Sequence, residues 1–287
     1  MYGNPKFCLG TAQFGLDYGV NNQKGKPSER DAFEILDFAS QNGIYDLDTA
    51  DAYGDALDLL GRYFGRGGAD FVIHSKFIVD GTPLRKKLSN TLRLLNRASI
   101  SSYYFHNYSD YENHPSLRRK IAEIKDEGLI KNIGVSIYEN KEFEAACEDE
   151  SINIIQIPFN LLDNIYQRGS IINYANAQGK KLHIRSIFLQ GLFFKNPIEL
   201  PPKLSVLAPH LLEIKLIADN AGVSLIQLAL NYALQCPGIE KVIVGVDTVE
   251  QLRQNLDYSN IVLPNSVMQS INNIRVEEVD LLYPKNW

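Results

Sequence analysis

The chain is poor in the residues that staple, span or carry charge of one sign. Only three cysteines occur in 287 residues, Cys8, Cys147 and Cys236. They are odd in number and far apart, which excludes a disulfide framework and any metal-spaced cysteine pair. No apolar run approaches the length of a membrane span, and the opening "MYGNPKFCLG" lacks both the basic region and the apolar core of a signal peptide. The expected location is therefore the cytoplasm, where the sequon at Asn107 is read as chance. No lysine or arginine run stands out against a net charge of −5, which argues against nucleic acid or an anionic membrane as a partner. The glycine fingerprint of a doubly wound dinucleotide fold is missing too, because "GTAQFG" is not GxGxxG.

What is present is an alternation. β-rich runs recur as "FCLGTA" (7–12), "IYDLDTA" (44–50), "FVIHSKF" (71–77), "SSYYFHN" (101–107), "NIGVSIY" (132–138), "IIQIPFN" (154–160), "LHIRSIF" (182–188) and "KVIVGV" (241–246). Helical sequence separates them. Ala56, Leu59, Leu60, Tyr63 and Phe64 share one face of a helix over 55–64, with Gly65 placed to end it. Ala32, Ile35, Leu36 and Ala39 do the same after an N-cap at Ser28, and Ser224 caps "LIQLALNYALQ". Eight strands, several apolar on both faces, predict a single-domain (β/α)8 barrel over residues 1–287. The stretch from about 189 to 206 reads as an ordered excursion after strand seven.

Active sites of such barrels lie at the C-terminal strand ends. Asp48 ends the second strand, Lys76 the third and His106 the fourth, with Tyr53 in the loop beyond Asp48. Singly, each has an ordinary reading: a strand-end cap, a surface charge, a satisfied polar group, a packing ring. Alternation also puts Asp46 on the face of Asp48 and His74 on the face of Lys76. This predicts an Asp46–His74 pair stacked below Asp48 and Lys76, since a buried carboxylate needs a partner. Asp51 and Asp55 are read as turn and helix-start residues.

At these positions the chain resembles an aldo-keto reductase. "NGIYDLDTADAYG" is similar to that family's strand-two signature, "SKF" holds its lysine and "FHN" its histidine. "LIKNIGVS", "IQIPFNLLD" and "VGVDTVEQLRQN" follow in the family's order, so the similarity runs from "LGTAQFG" to Asn255. "LGTAQFG" and "RSIFLQGL" resemble a bacterial branch associated with surface-polysaccharide biosynthesis. The resemblance implies that Tyr53 gives a proton to a carbonyl that a nicotinamide reduces. It implies that Lys76, held by Asp48, lowers the phenol's pKa from about 10, and that His106 orients the carbonyl. No metal is implied. Little room precedes strand one for the N-terminal hairpin many relatives carry.

The same resemblance implies a nucleotide site made by Ser136, Gln156, Arg185, Ser186, Gly245, Asp247, Thr248, Gln251 and Asn255. Ile137 replaces a usual asparagine, so its contact is missing or comes from Asn160. Arg185 stands where an aromatic ring is usual; it stacks under the nicotinamide, faces the substrate, or packs in a buried ion pair. NADP(H) is the family default. Asp247 would repel a 2′-phosphate and accept from a 2′-hydroxyl, which favours NAD(H), unless Arg253 or Lys241 reaches the phosphate.

Asp17, Tyr18, Tyr108, Phe188 and Trp287 are candidates to line a substrate pocket suited to a sugar-type carbonyl, with Trp287 either closing over it or frayed. The competing functions are a catalytically idle nucleotide-binding barrel acting as a sensor or interaction subunit, and a metal-dependent isomerase using His74, His106 and His183. The sequence leaves the oligomeric state open.

Overall fold

The computed structural model describes residues 6–19, 22 and 25–287. Eight parallel strands close into a barrel in sequence order. They are β1 (Phe7–Gly10), β2 (Asp46–Asp48), β3 (Val72–Phe77), β4 (Ile100–Phe105), β5 (Ile130–Ser136), β6 (Ile154–Pro158), β7 (Lys181–Arg185) and β8 (Lys241–Gly245). Each lies within or beside an expected β-rich run. The outward residues, such as Leu47, Ile73, Tyr103, Val135, Ile155 and Ile184, are buried under the helical layer. The barrel is thus covered on both faces, as parallel sheets require.

The helix starts follow their capping residues. Ser28 accepts from the Asp31 amide at Glu29–Gln41, and Ser224 forms a reciprocal capping box with Gln227 at Leu225–Gln235. The third expected terminus is displaced: Gly65 is the last helical residue of Ala56–Gly65, and Gly67, at φ 85°, takes the left-handed conformation instead. The excursion after β7 is ordered as three 3-10 turns, Leu189–Phe194, Pro197–Glu199 and Pro202–Leu207. The expectation about an N-terminal hairpin concerns residues 1–5, which lie outside the described residues. Among the described residues no helix is long and apolar enough to cross a membrane.

The barrel interior departs from the usual branched aliphatic filling. Asp46, Asp48, His74, Lys76, Ser102, Tyr104, Gln156 and His183 hydrogen-bond there in three groups, Asp46–His74–Ser102, Lys76–Asp48–Gln156 and Tyr104–His183. Gly134 makes room for one of them, because a Cβ on it would come within 2.3 Å of the Tyr104 ring. Sequence alternation predicts this polar lining only for strands two and three.

Candidate active site

Asp48 is fixed before its side chain does anything. Its carbonyl accepts from the Thr11 amide at 2.9 Å and from the Thr11 hydroxyl at 3.0 Å. Its carboxylate then accepts from Lys76 Nζ on one oxygen and from Gln156 Nε2 at 2.7 Å on the other. Lys76 also donates to the Thr49 carbonyl at 3.1 Å. Both members of the pair are almost wholly buried. Burial alone would pull the Lys76 ammonium down, but Asp48, with Tyr53 beside it, holds its pKa above the ordinary value.

Tyr53 sits over this pair, its ring centroid 5.0 Å from Lys76 Nζ and 5.8 Å from the His106 ring in an edge-on arrangement. The loop carrying it rests backbone against backbone on the turn after β1. A Cβ on Gly15 would fall 1.8 Å from the Tyr53 carbonyl oxygen, and Gly54, at φ 53°, faces Gly15 just as closely. Only glycine permits that approach. Burial pushes the Tyr53 phenol up, Lys76 works against it, and the net direction is upward. The lowering expected from Lys76 is therefore present but smaller than desolvation, and the phenol is held protonated. His106 is driven down to about 3 by burial first, then by Lys76 and Arg185, so its imidazole is neutral. Its Nδ1 is buried with no protein partner.

The lower pair forms as predicted. His74 Nε2 lies 3.1 Å from Asp46 Oδ1, and His74 Nδ1 lies 2.9 Å from the Ser102 hydroxyl. A third member was not anticipated: Lys241 Nζ donates to the other Asp46 oxygen at 2.5 Å. Lys241 therefore works at the closed end of the barrel and is not the phosphate ligand considered for it. His183 pairs with the Tyr104 hydroxyl at 3.1 Å and packs edge-on against His74, 4.9 Å between centroids. These two histidines are committed to the barrel interior and do not converge with His106 on one ion, which removes the donor set of the isomerase reading.

A cavity of about 380 Å³ opens beside Tyr53 and Asp48 and runs past the ends of β7 and β8. This is a size usual for small-ligand sites. Of the expected nucleotide residues, Arg185, Ser186, Gly245, Asp247, Gln251 and Asn255 line it, as do Tyr18 and Phe188 of the substrate set. Ser136, Gln156 and Thr248 do not. Ser136 is buried beside Gln156 in the β5–β6 register. The amide nitrogen of Gln156 is taken by Asp48, leaving Oε1 buried and unpartnered, and the Thr248 hydroxyl caps Val249–Tyr258 by accepting from the Gln251 amide.

Other expectations are corrected by competing partners. Asn160 is spent inside its own loop, accepting from the Leu162 and Asp163 amides and donating to Ser186. Arg253 lies over Phe38 and beside Glu250. Tyr108 packs on Tyr111, and Asp17 accepts from the Lys26 amide. Trp287 is neither frayed nor in the cavity wall: its Nε1 donates to the Leu281 carbonyl at 2.8 Å. Asp51 and Asp55 are the turn and helix-start residues expected, Asp51 in a turn and paired with Lys87, Asp55 at the N-cap of Ala56–Gly65 and paired with Lys26. Arg185 has no carboxylate at ion-pair distance among the described residues, so the buried-ion-pair reading fails.

Sequence reasoning missed Gln13 and Gln190, both in the cavity wall. Gln190 has a signal in hindsight, since "FLQGL" follows the seventh strand with a glutamine-glycine step. Ser186, Leu189 and Gln190 all have φ between 46° and 62°, a conformation that costs non-glycine residues about 1–3 kcal/mol each and clusters at functional sites. Gln190 donates to the Tyr18 hydroxyl at 3.1 Å, tying the β7 loop to the β1 loop across the cavity.

Comparison with known proteins agrees with this fold. The model of the "Aldo/keto reductase family" matches residues 6–276. An uncharacterized oxidoreductase of Bacillus subtilis, YqkF, is 22% identical, over 88% of this chain and 90% of its own. D-arabinose 1-dehydrogenase of Saccharomyces cerevisiae is 23% identical, over 91% and 87% respectively. Among solved structures, the holo form of aldo-keto reductase AKR11C1 from Bacillus halodurans superposes with a TM-score of 0.76 at 19% identity, covering 96% of this chain and 94% of that one.

Proposed function

The chain belongs to the aldo/keto reductase family, and from that premise we propose that it reduces an aldehyde or ketone to an alcohol with Tyr53 as the proton donor. Membership makes it an oxidoreductase of small-molecule carbonyls; the finer reading rests on its own residues. One observation carries it: a buried Asp48–Lys76 pair lies directly beneath a protonated Tyr53, which lines a cavity together with Asp48. When bound, a reduced nicotinamide supplies the hydride. Tyr53 gives its hydroxyl proton to the carbonyl oxygen as negative charge develops there, and Lys76 stabilises the phenolate left behind. Asp48 keeps Lys76 charged and in place. His106, being neutral, orients the carbonyl by a hydrogen bond without competing as an acid.

The cavity suits a nucleotide on its own evidence. Asp247 Oδ1 is buried with no protein partner beside the cavity, while its backbone amide is held by Gln251 Oε1 at 2.7 Å. Burial raises the Asp247 carboxyl above its ordinary pKa, and a hydroxyl donor would satisfy that oxygen. With neither Lys241 nor Arg253 in the wall, NAD(H) is favoured over the family's usual NADP(H). Gly245, Gln251 and Asn255 would complete the adenosine end. The polyhydroxyl-friendly lining of Tyr18, Gln13 and Gln190 supports a sugar-type carbonyl.

The test is Tyr53→Phe, assayed on a panel of aldoses and aromatic aldehydes with NADH and NADPH in parallel. Turnover should fall at least about 100-fold while cofactor affinity by fluorescence is kept, and NADH should bind more tightly than NADPH. Unchanged turnover removes Tyr53 from its role.

A further inference from the structure

Arg185 is the feature the reaction does not absorb. It ends β7 and lines the cavity with Tyr53. Its guanidinium is steered into place by uncharged groups only: Nη2 donates to the Ile137 carbonyl at 3.2 Å, and Cζ lies 4.3 Å from the centroid of the Tyr138 ring. A second cation, Lys285, places Nζ 4.2 Å from the same centroid. Neither has a carboxylate at ion-pair distance among the described residues, in a chain whose net charge is −5. Every other positive charge described in the barrel interior is paired, Lys76 with Asp48 and Lys241 with Asp46.

A half-buried guanidinium anchored along one edge keeps its remaining N–H groups for a planar oxyanion. A second donor faces the same cavity. The Tyr18 hydroxyl accepts from Gln190 and so has its own proton to give. Arg185 stands on the β7 side of the cavity with Tyr53 and Tyr18 in the same wall, and its charge is felt at Tyr18 and His106. The nucleotide acceptor Asp247 belongs instead to the β8 side. Leaving such a charge without a counter-ion costs free energy that a bound anion returns.

We propose that the substrate carries an oxyanion, a carboxylate or a phosphate, held by Arg185 and Tyr18 while its carbonyl meets Tyr53. This rests on the carbonyl-reducing reading and narrows its substrate class. The alternative use of the cation, against the cofactor itself, is separated by the test.

The experiment titrates the NADH complex of the full chain with succinate, inorganic phosphate and neutral succinamide, in wild type and in Arg185→Gln and Arg185→Lys. In the wild type at least one anion should bind saturably and succinamide should not. Arg185→Gln should lose that binding at least tenfold, Arg185→Lys less, with NADH affinity unchanged in both. Turnover then compares D-glucuronate with D-glucose, and glyceraldehyde 3-phosphate with glyceraldehyde. The charged member of at least one pair should lead in kcat/KM by tenfold or more, and Arg185→Gln should bring that ratio near one. No saturable anion binding overturns the proposal, as does an equal loss of NADH affinity in Arg185→Gln, which would assign the cation to the nucleotide. Absence of all turnover with anion binding intact would instead count against carbonyl reduction and leave the oxyanion site standing.

Discussion

The Asp48→Asn variant probes the centre of the site. The amide has nearly the shape of the carboxylate but removes the negative charge from a place where Lys76 is 1% exposed. Lys76 is then left with the Thr49 carbonyl and no anion, and burial, which already opposes its charge, goes uncompensated. Breaking a buried pair from one side typically costs about 3–5 kcal/mol. At roughly 2 °C per kcal/mol for a chain of this size, the melting temperature should fall by about 6–10 °C. Because the lysine loses its proton more readily, Tyr53 loses its stabilising neighbour, and turnover should drop at least about 100-fold. Thermal unfolding followed by far-UV circular dichroism and single-substrate kinetics test both numbers. The double variant Asp48→Leu/Lys76→Met removes both charges and should recover much of the stability but none of the turnover. An Asp48→Asn protein within about 1 kcal/mol of wild type would refute the claim that the pair is buried and mutually dependent.

Three further outcomes follow from the same geometry. Gly15→Ala puts a methyl group where the Tyr53 carbonyl stands, so stability should fall by about 1–3 kcal/mol and kcat should fall more than cofactor affinity. With the His106 pKa near 3, the pH profile of kcat should show no limb near 6.5; a limb there that disappears in His106→Gln contradicts a neutral histidine. Asp46 is held below its ordinary pKa because His74 and Lys241 outweigh burial. Its stabilising contribution is therefore full above the unfolded carboxylate pKa, about 3.9, and lost as pH falls through the lower folded value. Asp46→Asn should flatten the acid limb of a stability–pH curve while leaving the neutral limb parallel to wild type.

What could be read from the chain depended on how local the cause was. Strand positions and the Asp46–His74 pair followed from the two-residue period of neighbouring strands, because alternation fixes which side chains share a face, while Asp48–Lys76 followed from the family resemblance. Helix starts at Ser28 and Ser224 followed from short-range capping. Other residues have partners that no local rule shows. Lys241, weighed as a phosphate ligand, and Asn160, weighed as an amide contact, are each held by protein groups, and Gln156 gives its amide nitrogen to Asp48 while Oε1 stays unpartnered. Gln156 lies 108 residues from Asp48, and Lys241 lies 195 from Asp46. No window of the sequence shows that those carboxylates have a second oxygen needing a donor.

That distinction also explains why Arg185 is informative. A buried polar group usually takes whatever partner the fold can offer, and this barrel offers many: its interior carboxylates collect lysines, a histidine and a glutamine from distant strands. Half-buried Arg185 instead faces a tyrosine ring and a backbone carbonyl. In a fold that neutralises its other interior charges so completely, a cation left at the mouth marks the place where the missing partner comes from outside the chain. The expected oxyanion and the satisfied polar core are consequences of one rule, and a variant that supplies an internal partner tests it. Tyr138→Glu would put a carboxylate where a ring now lies 4.3 Å from the Arg185 guanidinium, and anion binding to the NADH complex should then be lost while Arg185 itself is unchanged; retained binding would show that the charge was never waiting for a counter-ion.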